Sequence, residues 1–143
     1  MKRKKNILPS QNLKLFSKQW LAGFFDGEGT ICVSKHKGSF TLFVAISQTN
    51  VLPLLFLQNK FGGSMAVRKC LCLQWSHAAA IKVIKYLYPN LILKKKVANL
   101  AFDFNKLQGN KCRMKTNRRK YYKWVVNKRR ILSRRISKLN HLD

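Results

Sequence analysis

The spacing of apolar residues changes several times along the chain, and each change marks the boundary of a predicted element. Residues 18–25 have a helical spacing that Ser17 is placed to cap, and Gly27 and Gly29 are predicted to end this helix. Residues 30–47 then alternate apolar and polar positions around a central turn, which predicts a β-hairpin. One face of this hairpin is apolar, and the other carries mostly small and polar residues.

A similar order of elements follows in the second part of the chain. An apolar segment at 50–60 predicts a helix with a proline in its first turn, and the glycine pair at 62–63 ends it. Alternation at 64–75 predicts a second hairpin, and helices are predicted at 77–88 and 91–107. The pattern favours an α+β fold in which a four-stranded antiparallel sheet has helices on one face and an open second face.

The last part of the chain differs in composition from the rest. It is rich in Lys and Arg, and its apolar residues are spaced to form either one long basic helix or two shorter ones. We therefore divide the chain into a basic N-terminal arm (1–16), a core (17–109) and a basic C-terminal helical extension of the same domain (110–143).

The charge balance indicates the class of partner. The chain has 30 Lys and Arg against 4 Asp and Glu, a net charge of +26. Such a charge favours a polyanion, and nucleic acid is the leading candidate because phosphate neutralisation releases counterions. An anionic membrane surface is the alternative, although no stretch approaches the roughly 20 apolar residues that span a bilayer. The cysteines (Cys32, Cys70, Cys72 and Cys112) lack metal-ligand spacing, so we expect free thiols in a reducing compartment.

Two of the four acids lie close together, at Asp26 and Glu28. A protein that only binds phosphates gains nothing from carboxylates near its DNA-facing strands, because like charges repel. A protein that cuts phosphodiesters needs such carboxylates, because hard oxygen ligands hold Mg²⁺ and the metal activates water. The alternative is that both acids are ordinary turn residues at the end of a helix.

The residues around these acids resemble the signature of the LAGLIDADG homing endonucleases. Residues 21–29 read LAGFFDGEG, and the resemblance extends from about Trp20 to about Leu107. It implies the α-β-β-α-β-β-α core of that family and a Mg²⁺-dependent, intron-encoded endonuclease that cuts a long, nearly palindromic site in double-stranded DNA. It also suggests a chloroplast or mitochondrial host gene. The signature is matched identically at Leu21, Ala22, Gly23, Asp26 and Gly29.

The resemblance also implies roles for individual residues. Glu28 matches the metal-binding acid, with the carbonyl of Gly27 as a second ligand, and Asp26 is expected to brace the helix. The family more often has Asp at the position of Glu28, so the metal geometry is open.

Two further catalytic residues are implied in the same way. Gln48 matches the polar residue that positions water, and Lys94 matches the lysine that stabilises charge at the phosphate. Lys96 is the rival for the lysine's role, because the chain has three consecutive lysines there.

A chain with one copy of the motif is expected to pair with a second copy of itself. Gly23 and Gly27 share one helix face, where the absence of side chains lets two helices approach closely. The alternative is that Gly23 packs inside a single protomer. The predicted dimer interface consists of Leu21, Ala22, Gly23, Asp26 and Gly27.

The open face of the sheet is the predicted reader of the DNA major groove, which a two-stranded ribbon fits. Arg68 suits guanine and Gln74 suits adenine by bidentate geometry. A maturase that binds intron RNA and a regulator that has lost catalysis are the rival functions. The predicted DNA-binding residues are Ser34, Lys35, His36, Lys37, Ser39, Thr41, Arg68, Lys69 and Gln74.

Overall fold

The computed structural model describes residues 16–37, 39–109 and 118–141. These residues form five α-helices, one four-stranded sheet and a short 3₁₀ turn at Tyr88–Asn90. In chain order the elements are α1 (Lys18–Glu28), β1 (Gly29–His36), β2 (Ser39–Gln48), α2 (Val51–Phe61), β3 (Ser64–Val67), β4 (Leu71–Ser76), α3 (His77–Leu87), α4 (Lys95–Gly109) and α5 (Arg118–Asn140).

Helix α1 begins as predicted and ends later than predicted. The hydroxyl of Ser17 accepts a hydrogen bond from the amide of Trp20 at 3.1 Å, which satisfies one of the free amides of the first turn. The helix continues through Gly27 to Glu28, so the prediction that Gly27 ends it was wrong. Glycine lowers helix propensity but keeps its amide, so it does not break the hydrogen-bond ladder. Glu28 therefore lies on the last turn of the helix.

The sheet is antiparallel with the strand order β1-β2-β4-β3. The centre of one face is apolar and buried under the helices, whereas no residue of the opposite face is buried. The predicted α+β fold with one open sheet face is confirmed. The buried face includes Ile31, Leu42, Val44, Ile46, Leu73 and Trp75, each at most 1% exposed.

Helix α4 begins at Lys95, not at Leu91 as predicted. The backbone amides of Ile92, Leu93 and Lys94 donate to the carboxylate of Asp26. Because these amides point at a carboxylate on another helix, the segment turns before the α-helical ladder begins. An apolar spacing in the sequence does not reveal such a long-range acceptor.

The basic C-terminal segment forms one helix over its described part, and residues 110–117 of the predicted extension lie outside the described residues. Ile136 is fully buried in the common core and Val125 is 6% exposed. Arg129 Nη2 donates to the carbonyl of Leu107 at 2.9 Å, at the C-terminal end of α4. Asn140 Nδ2 donates to the carbonyl of Ile31 at 2.7 Å, in strand β1. Among the described residues, no helix is long and apolar enough to span a bilayer.

Candidate active site and nucleic-acid interface

The open face of the sheet carries most of the residues predicted to read DNA. Ser34 lies opposite Thr41, and His36 lies opposite Ser39, so the β1–β2 hairpin presents two polar pairs. Gln74 lies on the same face in β4, opposite both Ala45 and Ser64. These polar groups line a surface that no helix covers.

The remaining predicted DNA-binding residues lie at the ends of the strands. By the alternation along β1, Lys35 falls on the same side of the sheet as the buried Ile31. Its ammonium lies 5.9 Å from the centre of the Phe40 ring. It is therefore not on the open face, although it is exposed at the strand end. Lys37 is in the turn after β1, and Arg68 and Lys69 are in the turn between β3 and β4, all exposed.

The middle of the open face is mostly apolar, and the sequence analysis missed this because it selected only polar residues. Cys32 lies opposite Phe43, Ala45 occupies the next open-face position of β2, and Cys72 lies opposite Ala66. The alternation already assigned these residues to this face. Apolar groups there suit the methyl group of thymine in the major groove.

The thiols of Cys32, Cys70 and Cys72 are free, and Cys112 lies outside the described residues. Burial raises the pKa of the Cys32 thiol, because a thiolate in that position loses hydration. A neutral thiol on this face would add no charge repulsion to a bound polyanion.

The three predicted catalytic residues lie around the C-terminal end of α1. Glu28 is the last residue of that helix and is exposed. Gly29, the first residue after α1, lies opposite Ile46 in the ladder, so β2 extends two residues beyond that pair and ends at Gln48. The Gln48 side-chain oxygen accepts from the amide of Thr49 at 2.8 Å and from its hydroxyl at 3.1 Å, which orients the amide group.

Asp26 ties Lys94 to the same end of α1. Its carboxylate accepts the amide of Ile92 at 2.7 Å and that of Leu93 at 3.3 Å on Oδ2, and the amide of Lys94 at 2.9 Å on Oδ1. In return, the Lys94 ammonium donates to the backbone carbonyl of Asp26 at 2.6 Å. An ammonium has three donors, so two of them are left for a phosphate. Lys96, the rival, is exposed in the first turn of α4.

The donors at this end of α1 fit a hard divalent cation that also takes ligands from outside the chain. Among the described residues, no three His, Cys, Asp or Glu side chains come close enough together to hold a metal. One carboxylate, Glu28, and the backbone carbonyl of Gly27 lie at the negative end of the helix dipole. Mg²⁺ keeps several waters and commonly takes one or two carboxylates together with phosphate oxygens, which matches this set.

The glycine face of α1 is exposed in the protomer. Among the described residues, a side chain at Gly23 or Gly27 would meet no atom within 4 Å, which argues against the alternative that Gly23 packs inside the protomer. Leu21 and Ala22 have no exposed surface, and Asp26 is only 7% exposed. These three residues serve the protomer's own core, which corrects the predicted interface, because a helix side chain can face either its own core or a partner.

Apolar side chains flank this glycine face, and the sequence prediction missed them. The rings of Phe16, Trp20 and Phe24 form a ladder with centre-to-centre distances of 4.6 and 5.2 Å, and Trp20 is 46% exposed. Ile92 is 81% exposed and Leu93 is 65% exposed, beside the carboxylate of Asp26. The sequence analysis predicts a helix over both residues. The spacing of apolar residues in that segment does not show which of them are exposed.

Comparison of the amino-acid sequence with known proteins shows a partial similarity. No family model matches the chain. The intron-encoded RNA maturase bI4 of Saccharomyces cerevisiae is 32% identical over 90 residues, which is 62% of this chain and 12% of the maturase. The chain thus spans only a small part of that relative's length.

Several solved homing endonucleases are similar in structure. I-CvuI in complex with its target matches with a TM-score of 0.70 and 18% identity, over 92% of this chain and 85% of that one. The archaeal intron-encoded I-Vdi141I, complexed with DNA, matches with a TM-score of 0.68 and 17% identity, over 85% and 82%. The LAGLIDADG meganuclease I-AabMI, bound to uncleaved DNA, matches with 0.67 and 21%, over 82% of this chain and 44% of that one. The chain therefore has the LAGLIDADG homing-endonuclease fold, which confirms the resemblance at residues 21–29 at the level of the fold.

Proposed function

We propose that this chain is a Mg²⁺-dependent endonuclease that cuts double-stranded DNA as a homodimer. One arrangement carries the proposal: the exposed glycine face of α1 ends in the exposed carboxylate of Glu28, at one end of an uncovered sheet. A partner helix on that face, a metal at that carboxylate and a duplex on that sheet account for the three exposed features together.

The exposed glycines support self-pairing. Two copies of α1 can approach closely where Gly23 and Gly27 have no side chains, and the exposed rings and the apolar pair Ile92 and Leu93 supply area around them. The chain also covers 85% of I-CvuI but only 44% of I-AabMI, as expected of one module where a longer protein holds two. A two-fold axis between the helices brings both Glu28 residues to the middle of the bound DNA.

Each residue at the end of α1 has a distinct task in this proposal. Glu28 and the Gly27 carbonyl hold Mg²⁺, which supplies Lewis-acid stabilisation of phosphate charge and lowers the pKa of water. Gln48 orients a water through its amide group, whose oxygen Thr49 already holds. Lys94 neutralises phosphate charge through its ammonium. Asp26 is a positioning residue, because its carboxylate fixes the turn that carries Lys94.

In this proposal, the open face of the sheet recognises the base sequence of the DNA, and the excess of Lys and Arg supplies affinity for its phosphates. The polar pairs of the β1–β2 hairpin and Gln74 can contact base edges, and the small apolar centre can contact thymine methyl groups. The exposed lysines and Arg68 at the strand ends are placed to meet phosphates, which fix the register without reading sequence. A two-fold dimer would then prefer a nearly palindromic site with two half-sites.

A maturase function is the second candidate, favoured by the similarity to the RNA maturase bI4 over 90 residues. The names of that relative and of I-Vdi141I describe both as intron-encoded. A host gene that contains an intron follows as part of this proposal, and its chloroplast or mitochondrial location stays a prediction.

Cleavage of a random library of DNA duplexes tests the main function. With Mg²⁺, the wild-type protein is expected to cut a long, nearly palindromic site, whereas Glu28→Gln binds the site without cutting it. Asp103→Asn is the matched control, because it also changes an exposed acid to an amide and should cut normally. Cleavage by Glu28→Gln at the wild-type rate, or cutting without a divalent metal, would contradict the proposed centre. Absence of cleavage with retained binding to structured RNA would favour the maturase.

A further inference from the structure

The outward orientation of α5 is fixed by its contacts with the rest of the fold. Val125 and Ile136 pack into the core on one side of the helix. Arg129 donates to the carbonyl of Leu107 in α4, and Asn140 donates to the carbonyl of Ile31 in β1. Because these contacts hold both the middle and the end of the helix, the opposite face points permanently into solvent.

That outward face is strongly basic. Within α5 there is no Asp or Glu, and Arg130, Arg134 and Lys138 follow one another at four-residue intervals. Like charges at this spacing repel each other and weaken the helix slightly, and a bound polyanion would relieve that repulsion. The exposed cations of the described side chains are Lys123, Lys128, Arg130, Arg134, Arg135 and Lys138.

The acids that the structure describes do not balance this charge. Asp26 is bound to the turn before α4, and Glu28 is at the end of α1. Asp103 pairs with Lys106 at 3.1 Å, the one ion pair between the side chains that the structure describes. None of these three described acids pairs with a cation of α5.

Exposed apolar groups lie among the cations. Trp124 is 50% exposed and Ile131, seven residues later, is 49% exposed. The ammonium of Lys128 lies over one face of the Trp124 ring, 5.7 Å from its centre, so a cation that can meet a phosphate lies directly against the half-exposed indole. On the same helix, Lys123, Val126, Asn127 and Arg130 line a groove of about 260 Å³.

We propose that this outward face of α5 binds single-stranded or looped RNA, with an unpaired base stacked on Trp124 and the phosphates held by the surrounding cations. A DNA duplex keeps its bases stacked on each other, so an exposed indole would add little to a grip on duplex phosphates. Unpaired bases stack on aromatic side chains, and sequence-specific RNA recognition mostly uses loops of this kind. The similarity to an RNA maturase favours RNA as the source of the unpaired strand.

This RNA site is separate from the proposed DNA-cleaving centre, which lies on α1 and on the open sheet face. The two activities can therefore be lost independently. Binding of RNA by α5 does not require Glu28, and cleavage of DNA does not require Trp124.

The test compares wild type, Trp124→Ala and Trp124→Phe for binding to a labelled random-sequence RNA of about 16 nucleotides, the upper site size for such proteins. The same measurements are made on single-stranded DNA and on duplex DNA of equal length. A salt concentration of about 0.15 M screens non-specific attraction between exposed charges. We expect Trp124→Ala to weaken RNA binding about tenfold or more, Trp124→Phe to restore most of it, and duplex binding to change less than about twofold.

Two further measurements test RNA binding by α5 and do not depend on whether Trp124→Ala folds. The tryptophan fluorescence of wild type minus that of Trp124→Phe is the emission of Trp124 itself. Quenching of this emission when RNA is added reports stacking on the Trp124 ring. The double variant Arg130→Ala with Arg134→Ala should lower the slope of log affinity against log salt by about 1.4 for single-stranded RNA, because about 0.7 counterions are released per contact.

Three outcomes would overturn the proposal. Trp124→Ala binding RNA like wild type, with no quenching, removes the indole from the site. Equal weakening on duplex DNA makes α5 a grip on DNA flanking the cut. Equal strength and sensitivity on single-stranded DNA makes it a general single-strand surface. Glu28→Gln, assayed in parallel, should bind RNA normally, so a failure of the cleavage proposal is seen separately.

Discussion

Asp26 allows the sharpest test of how this site is built. Replacing it by Asn keeps the shape of the side chain but turns one acceptor oxygen into an NH₂ donor. The amides of Ile92 and Leu93 share Oδ2, and the amide of Lys94 uses Oδ1. An asparagine can therefore satisfy one of these two groups and must face the other with a donor.

The size of the effect follows from these contacts. Asp26 is 7% exposed, so water replaces the lost acceptor poorly. Hydrogen bonds to charged groups contribute about 1.5–3 kcal/mol each, and a buried donor left unpaired costs about 1–3 kcal/mol. Because the asparagine keeps some of its bonds in neutral form, we expect the free energy of unfolding to fall by about 2–4 kcal/mol.

Urea unfolding at neutral pH measures this change, and Asp103→Asn is the matched control. Asp103 pairs with Lys106 at the surface, where the two side chains are 54% and 76% exposed. An exposed pair of this kind contributes little, so the control should change the free energy of unfolding by less than about 0.5 kcal/mol.

A second readout separates positioning from stability. Under conditions where the Asp26→Asn protein is folded, DNA binding should be retained while kcat falls about 10- to 100-fold, because the Lys94 ammonium loses its fixed position. If the variant is as stable as wild type, the carboxylate does not hold the turn and the reasoning is refuted. If it is destabilised but cleaves normally, Asp26 is structural only.

Three other perturbations test separate features. Gly63→Ala should lower the free energy of unfolding by about 2–5 kcal/mol in urea, because Gly63 has φ +105° and a Cβ would lie 2.6 Å from Nε1 of Trp75. Gly62→Ala, with φ +71° and open space, should cost only about 1–3 kcal/mol, and equal losses would contradict the packing argument. Gly23→Leu should leave the protomer folded but raise the dimer dissociation constant about tenfold, equivalent to about 1.4 kcal/mol, by sedimentation equilibrium; unchanged association would remove α1 from the interface. Because burial raises the pKa of Cys32 above its ordinary value of 9.0, the folded state keeps this thiol protonated where the unfolded thiol ionises, so stability should fall as pH rises through that window. Alkylation of Cys32, followed by mass spectrometry, should accordingly need a higher pH in the folded than in the urea-unfolded protein, and coincident profiles would refute it.

The alternation of residues in the two hairpins was enough to predict the sheet and its faces. Ser34, Thr41 and Gln74 lie on the open face because side chains on a strand point alternately to either side. Lys35 falls on the other face by the same rule, and we grouped it with the DNA-binding residues for its charge alone. The boundaries of α1 and α4 were less predictable, because Gly27 continues one helix and a distant carboxylate delays the start of the other.

The sequence by itself determined the fold class and the residue types at the candidate centre and predicted a polyanionic partner, because periodicity, motif and charge are local or summed properties of the chain. Only the tertiary structure decided which side of α1 is exposed, separating Gly23 and Gly27 from the buried Leu21 and Ala22. It also joined Asp26 to Lys94, 68 residues away, and turned the basic face of α5 outward. These features depend on which distant groups satisfy each other's hydrogen bonds and apolar surfaces, and that pairing is set when the elements pack.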